Sequence, residues 1–129
     1  MLAGLLALAG CLAGCGSAGG RADAATAVAT RLLTATAGRD GESACAVLAP
    51  ETVAELEQSA DKPCPQAILD EDLPEPGPVT GASVYGQWAQ VRLTGDTVFL
   101  AVFADGWRVV AAGCSPRDDR PYDCVLQGS

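Results

Sequence analysis

The sequence has no histidine and a single lysine, Lys62. Without imidazole, neither a Ser-His-Asp constellation nor a Cys-His zinc set can be assembled. General base duty would fall to carboxylates or to Lys62, and Lys62 stands between Asp61 and Pro63 in an expected surface loop. A Ser and Lys dyad would need it buried. Asp118 and Asp119 are adjacent, so in extended backbone their side chains diverge and suit a solvated loop better than an acid and base pair. The expectation is therefore a protein that is not an enzyme and needs no cofactor. Cations are scarce throughout: 8 Lys and Arg face 16 Asp and Glu, for a net charge of -8. That balance argues against nucleic acid, because phosphate binding draws on clustered Lys and Arg, and it favours solubility. A long apolar run is also missing. Residues 1-14 are apolar, but a membrane span needs about 20 such residues, so the segment reads as a removed signal.

That short apolar run ends by writing Leu-Ala-Gly-Cys twice, at 8-11 and 12-15. The tetrapeptide has the pattern of a bacterial lipobox, where cleavage before a cysteine leaves a diacylglyceryl group on its sulfur, with palmitate-type chains. If Cys15 is the lipidated residue, Cys45, Cys64, Cys114 and Cys124 remain as an even set for an oxidising compartment. Lipidation at Cys11 is the alternative, and it would leave Cys15 as an unpaired thiol. Two acyl chains anchor firmly where one holds only marginally. The expected localisation is the extracytoplasmic face of the cell membrane, with the membrane itself a partner through the lipid. No Lys or Arg precedes the run, so the start codon is expected upstream of Met1. Residues 15-20 read as a flexible tether with a reach of about 13 Å.

The mature chain of about 115 residues has the usual size of one domain, placed at 21-129. Four cysteines allow three pairings. Cys114 and Cys124 bracket a polar loop with two prolines, Pro116 and Pro121, which favours a local bridge there and leaves Cys45 for Cys64. Zinc is the competing reading, but the sequence has no C-x-x-C spacing and no histidine to set beside the thiols.

Helical spacing of Ala25, Val28, Ala29, Leu32 and Thr36 predicts a helix over 21-37, stopped by Gly38. A second is expected over 42-48, and a third opens at Pro50 with Val53 and Leu56 as its buried pair. Ile68 and Leu69 read as a single covering turn. The stretch 70-78 is acidic and proline-punctuated; it lacks the alternating ligands and glycine of a calcium loop and reads as a solvated connection.

The second half reads as strands. Gly86-Gln87, Gly95-Asp96 and Asp105-Gly106 are two-residue turn candidates that divide 79-114 into a four-stranded antiparallel meander. Period-two alternation then gathers Ala82, Val84, Ala89, Val91, Leu93, Val98, Leu100, Val102, Ala104, Trp107, Val109 and Ala111 on one apolar face, which is expected to receive the helices. The opposite face reads Tyr85, Trp88, Phe103, Arg108 in one row, then Ser83, Gln90, Ala101, Val110, then Gly81, Arg92, Phe99, Ala112. A solvated face with Arg108 over Phe103 or Trp88 as a cation-π contact would account for it. Contiguous aromatics with arginines also mark interfaces, which makes Tyr85, Trp88, Arg92, Phe99, Phe103 and Arg108 the candidate interface.

Helices followed by a curved sheet, with Gly106-Trp107-Arg108-Val109-Val110-Ala111-Ala112-Gly113-Cys114 and Arg120-Pro121-Tyr122-Asp123-Cys124, resemble small secreted or lipidated bacterial proteins, of high-GC Gram-positive type, with an NTF2-like, cystatin-like domain. The resemblance implies an α+β cone: two to three N-terminal helices on one face of a four-stranded meander, closed by a disulfide-bonded C-terminal tail. Enzymes of that fold line the cone with Asp, His or Tyr, and the expected cone-lining face here carries no ionisable group, so no catalytic residue transfers. The functional expectation is a membrane-tethered binding or interaction module, with a homodimer mate or an exported protein on the outer sheet face. The alternative is a carrier of a small hydrophobic ligand between helices and sheet.

Overall fold

Two disulfides and a five-stranded antiparallel sheet frame the domain in the computed structural model, which describes residues 18-128. Cys11 and Cys15 lie outside the described residues. Four short-to-medium helices come first: α1 (Ala18–Ala37), α2 (Gly41–Ala46), α3 (Pro50–Ala60) and α4 (Cys64–Ala67), the last continued by a 3-10 turn, Ile68–Asp70. The strands follow in sequence order as β1 (Val79–Tyr85), β2 (Trp88–Leu93), β3 (Asp96–Phe103), β4 (Gly106–Arg117) and β5 (Arg120–Gln127). Among the described residues no helix is long and apolar enough to cross a membrane.

Helix α1 buries Ala25, Ala29, Leu32 and Leu33 completely, one stripe at helical spacing whose alanines let the helix lie close to the sheet. It starts within the stretch expected as a tether and ends where Arg39 turns left-handed at φ 56°. Asp40 then caps α2, its carboxylate accepting from the Ser43 backbone N–H at 3.0 Å and from the Ser43 hydroxyl at 2.6 Å. Gly41 is required by packing: a Cβ there would lie 2.0 Å from the Pro65 carbonyl oxygen. The close approach of α2 and α4 is held by the Cys45–Cys64 bridge. Helix α2 stops at Ala46, short of the expected Leu48, because the chain from Val47 to Ala49 leaves it to pair with β4: Val109 N–H donates to Val47 and Ala49 N–H to Val109.

On α3 the buried residues are Thr52 and Leu56, with Val53 half-buried. The expected pair was Val53 and Leu56. A threonine can be fully buried here because its hydroxyl has a partner, the Val110 carbonyl at 3.0 Å. The acidic connection forms no regular structure over 71-78, and Lys62 pairs with Asp70 at its start.

The sheet differs from expectation in strand number and in register. Residues 120-127, expected as a loop and tail, form a fifth strand against β4, with Cys114 and Cys124 directly opposite and bridged. Tyr85 faces Trp88 as expected, but Leu93 faces Asp96 and Phe103 faces Gly106, so the other two turns are Thr94-Gly95 and Ala104-Asp105. Both pairings slip by two residues, an even number, and the side chains as far as Val109 keep their predicted face. The row therefore reads Tyr85, Trp88, Ala101, Arg108 rather than including Phe103. An extra residue, Val110, bulges β4 between the Val109-Leu100 and Ala111-Phe99 pairs. Beyond it the faces exchange: Ala112 joins the core and Ala111 turns away, the reverse of the predicted assignment.

Candidate functional site

The sheet face away from α1 is only partly covered, and what covers it makes a cleft. Gly113 sits left-handed at φ 65°, with Val125 and Leu73 so close that a Cβ would meet their side chains at 2.9 and 3.1 Å; only glycine fits both conditions. The β3 to β4 ladder ends before it, at the Phe99 and Ala111 pair. Asp96, the first residue of β3, fills the gap by accepting the Cys114 N–H on its carboxylate at 3.0 Å. The far ends of β4 and β5 thus leave the plane of the sheet as an arm, pinned by Cys114–Cys124.

Tyr122 shows where that arm lies. Its ring meets Phe99 edge-on, 5.0 Å between centroids, and its hydroxyl oxygen accepts from Gln90 Nε2 at 3.2 Å. Phe99 is on β3 and Gln90 on β2, so the arm crosses above the sheet. The opposite wall is the start of α3. Pro50, preorganised for a first helical position, brings Glu51 and Thr52 to the bulge, where Thr52 Oγ1 and the Gly128 N–H both donate to the Val110 carbonyl at 3.0 Å.

Between these walls is a cavity of about 710 Å³, floored by Phe99, Ala101 and Ala111 and rimmed by Trp88, Phe103, Pro121 and Tyr122. Ala101 and Ala111 are only 8% and 6% exposed, although no helix core lies above them. The rim is open: Trp88 is 58% exposed and Tyr85, just outside it, 66%. Glu51 is the carboxylate on the lining.

Of the six candidate interface residues, Tyr85 stands exposed outside the cleft and the other five divide into two sets. Trp88, Phe99 and Phe103 line the cleft. Arg92 instead lies along the β1 edge, donating to the Ser83 hydroxyl at 3.2 Å and covering Gly81. Arg108 is engaged internally: it pairs with Asp105 and donates through Nη1 to the Ala46 and Leu48 carbonyls at 3.2 and 3.1 Å. The expected cation-π contact over Phe103 or Trp88 is replaced by one on the helix-covered side, Arg21 over Trp107 at 5.4 Å. The Arg108 guanidinium holds the Asp105 carboxyl below its ordinary pKa, and that partner raises Arg108 in turn.

Three residues outside the predicted set shape the site: Tyr122, Thr52 and Asp96. Tyr122 had a signal in the sequence, since Tyr122, Cys124 and Leu126 alternate with Asp123, Val125 and Gln127 at the period of a strand. Asp96 is 5% exposed with Oδ2 unpartnered. Burial pushes its pKa up, opposed by hydrogen bonds from the Cys114, Thr97 and Gly113 backbone. Among the described residues no group of three or more His, Cys, Asp or Glu is placed to hold a metal.

No family model, curated protein or solved structure matches the chain. The functional reading rests on the cleft and on the sequence.

Proposed function

We propose that the chain is a membrane-tethered, exported lipoprotein whose domain is a non-enzymatic binding module, with the aromatic cleft as its binding surface. The anchor rests on the doubled Leu-Ala-Gly-Cys and on thiol parity: with Cys45–Cys64 and Cys114–Cys124 closed in the domain, Cys15 is the thiol left for lipid after cleavage. The cleft is the observation that carries the binding reading. Its volume of about 710 Å³ falls within the roughly 300-1,000 Å³ of small-molecule sites, and Trp88, Phe103 and Tyr122 are of the residue types concentrated at binding centres. Its lining offers one carboxylate, Glu51, and one phenol, Tyr122, with no histidine, lysine, free thiol or second carboxylate beside them, which favours binding over catalysis.

The carrier alternative gains from the same cleft, though at another place than expected. Leu32, Leu33, Val98, Leu100 and Val109 are fully buried between helices and sheet, so an apolar ligand is better accommodated on the opposite face. Helices on one side of a bent antiparallel sheet support the NTF2-like, cystatin-like cone as the fold type.

Nile red, a neutral apolar dye, tests the cleft on the lipid-free domain. One saturable site is expected, with affinity lowered at least about tenfold by Ala101→Trp, which fills the floor, equivalent to about 1.4 kcal/mol. Equal affinity in the two proteins, or no binding to the wild type, overturns the cleft as the binding surface. For the anchor, Cys15→Ala in a bacterial host should accumulate the unprocessed full chain; a normally processed variant overturns lipidation there.

A further inference from the structure

We infer that the cleft selects a ring-bearing apolar amine and discriminates against fatty acids and phosphorylated lipids, an inference that rests on the cleft being the binding surface. The argument begins with the cations. Of the arginines on the sheet and its arm, Arg108, Arg92 and Arg117 are each turned to another task, and Arg120 borders a different hollow. Arg108 is held by Asp105 and two backbone carbonyls. Arg92 is bound to Ser83 on the far strand. Arg117 donates to the Pro121 carbonyl at 3.0 Å and, with Arg120, borders a separate hollow at the arm's tip beside Asp118 and Asp119. No Lys or Arg is among the residues lining the cleft. A carboxylate or phosphate entering it would lose its hydration with no counter-charge to replace it.

The lining is instead suited to positive charge. Trp88, Phe99, Phe103 and Tyr122 present ring faces and edges, and aromatic faces attract ammonium groups through their quadrupole. Glu51 stands exposed on the opposite wall, and the chain as a whole carries a net charge of -8. Thr52 is already bonded to Val110, so the lining's polar side chains narrow to the Glu51 carboxylate, the neutral Gln127 amide and the Tyr122 hydroxyl, which accepts from Gln90 and keeps its proton for an acceptor. Rings for the body of the ligand and a carboxylate at the mouth describe an aromatic or polycyclic amine.

Three probes of one shape and different charge decide it: 1-naphthylmethylamine, 1-naphthalenemethanol and 1-naphthoic acid, titrated against the lipid-free domain at pH 7 by calorimetry. The amine should bind tightest, the alcohol next and the acid weakest, with about five- to tenfold between amine and acid, as a cation-π contact plus one exposed ion pair would give. Glu51→Gln should narrow the amine's lead over the alcohol about two- to threefold, the share of one exposed ion pair, and leave the part that the rings supply. Ala101→Trp should weaken all three. Equal binding of the three probes, preference for the acid, or an amine preference undiminished by Glu51→Gln overturns the selectivity while leaving the cleft as a binding surface. Binding of none of them overturns the selectivity, and if Nile red also fails to bind, the reading of the cleft falls with it.

Discussion

The two faces of the sheet are both apolar, yet one is sealed and the other hollow. On the first, Val91, Val98, Leu100 and Val109 meet the continuous stripe Ala25, Ala29, Leu32 and Leu33 of α1, and every one of these residues is fully buried. On the second, Phe99, Ala101 and Ala111 meet no continuous element; the first turn of α3 reaches one side and the β5 arm the other. Apolar composition alone therefore does not decide whether a face becomes core or cavity. The difference lies in the cover: a 20-residue helix presents a full stripe, whereas the first turn of α3 and the β5 arm leave a gap between them.

Removing an anchor from the sealed face should have the largest effect on stability. Leu100→Ala is expected to cost about 2-5 kcal/mol by urea unfolding, the range for deleting a fully buried leucine that the surroundings cannot replace. A cost under about 1 kcal/mol would mean that the helix-covered side is as loosely packed as the cleft. Arg108→Ala should come next, at about 1-3 kcal/mol, because it strips charged donors from the Ala46 and Leu48 carbonyls. Its effect should appear in stability and not in the affinity of Nile red. A loss of dye affinity with unchanged stability would instead make Arg108 part of the binding surface.

The smallest effect is the pH dependence set by Asp96, at the junction of the two faces. Its folded pKa lies above the ordinary carboxylate value. Between those two values the native state holds the proton that the unfolded chain has released, so stability falls as pH rises through the window. Comparing unfolding midpoints from about pH 3 to pH 7, Asp96→Asn should lose that fall and gain on the wild type as pH rises. Parallel profiles would mean that the carboxylate is equally well solvated in both states.

Much of this arrangement is legible in the residues. Turn glycines and period two assign the faces of β1, β2 and β3 correctly even though two registers slip, because an even slip leaves the alternation intact. The disulfide partners follow from locality. The bulge at Val110 is not legible: nothing in Val109-Val110-Ala111-Ala112 distinguishes the extra residue, and its position depends on Thr52 and Gly128 arriving from elsewhere in the chain. The aromatic patch stands out in the sequence, but its shape depends on Tyr122. The prolines and charges of 115-123 obscure a strand whose local pattern is confined to its second half, and Arg108 reads as available because two of its acceptors are distant main-chain carbonyls that no side-chain pattern records.

The Val110 carbonyl, accepting at once from Thr52 and from the Gly128 N–H, places the last described residue beside the cleft mouth, with Gln127 and Gly128 themselves in its wall. Anything fused behind that point would emerge against the opening. A C-terminal affinity tag or fluorescent reporter would therefore act as a tethered competitor for the site it was meant to help study, whereas a fusion entering through α1 approaches from the sealed side.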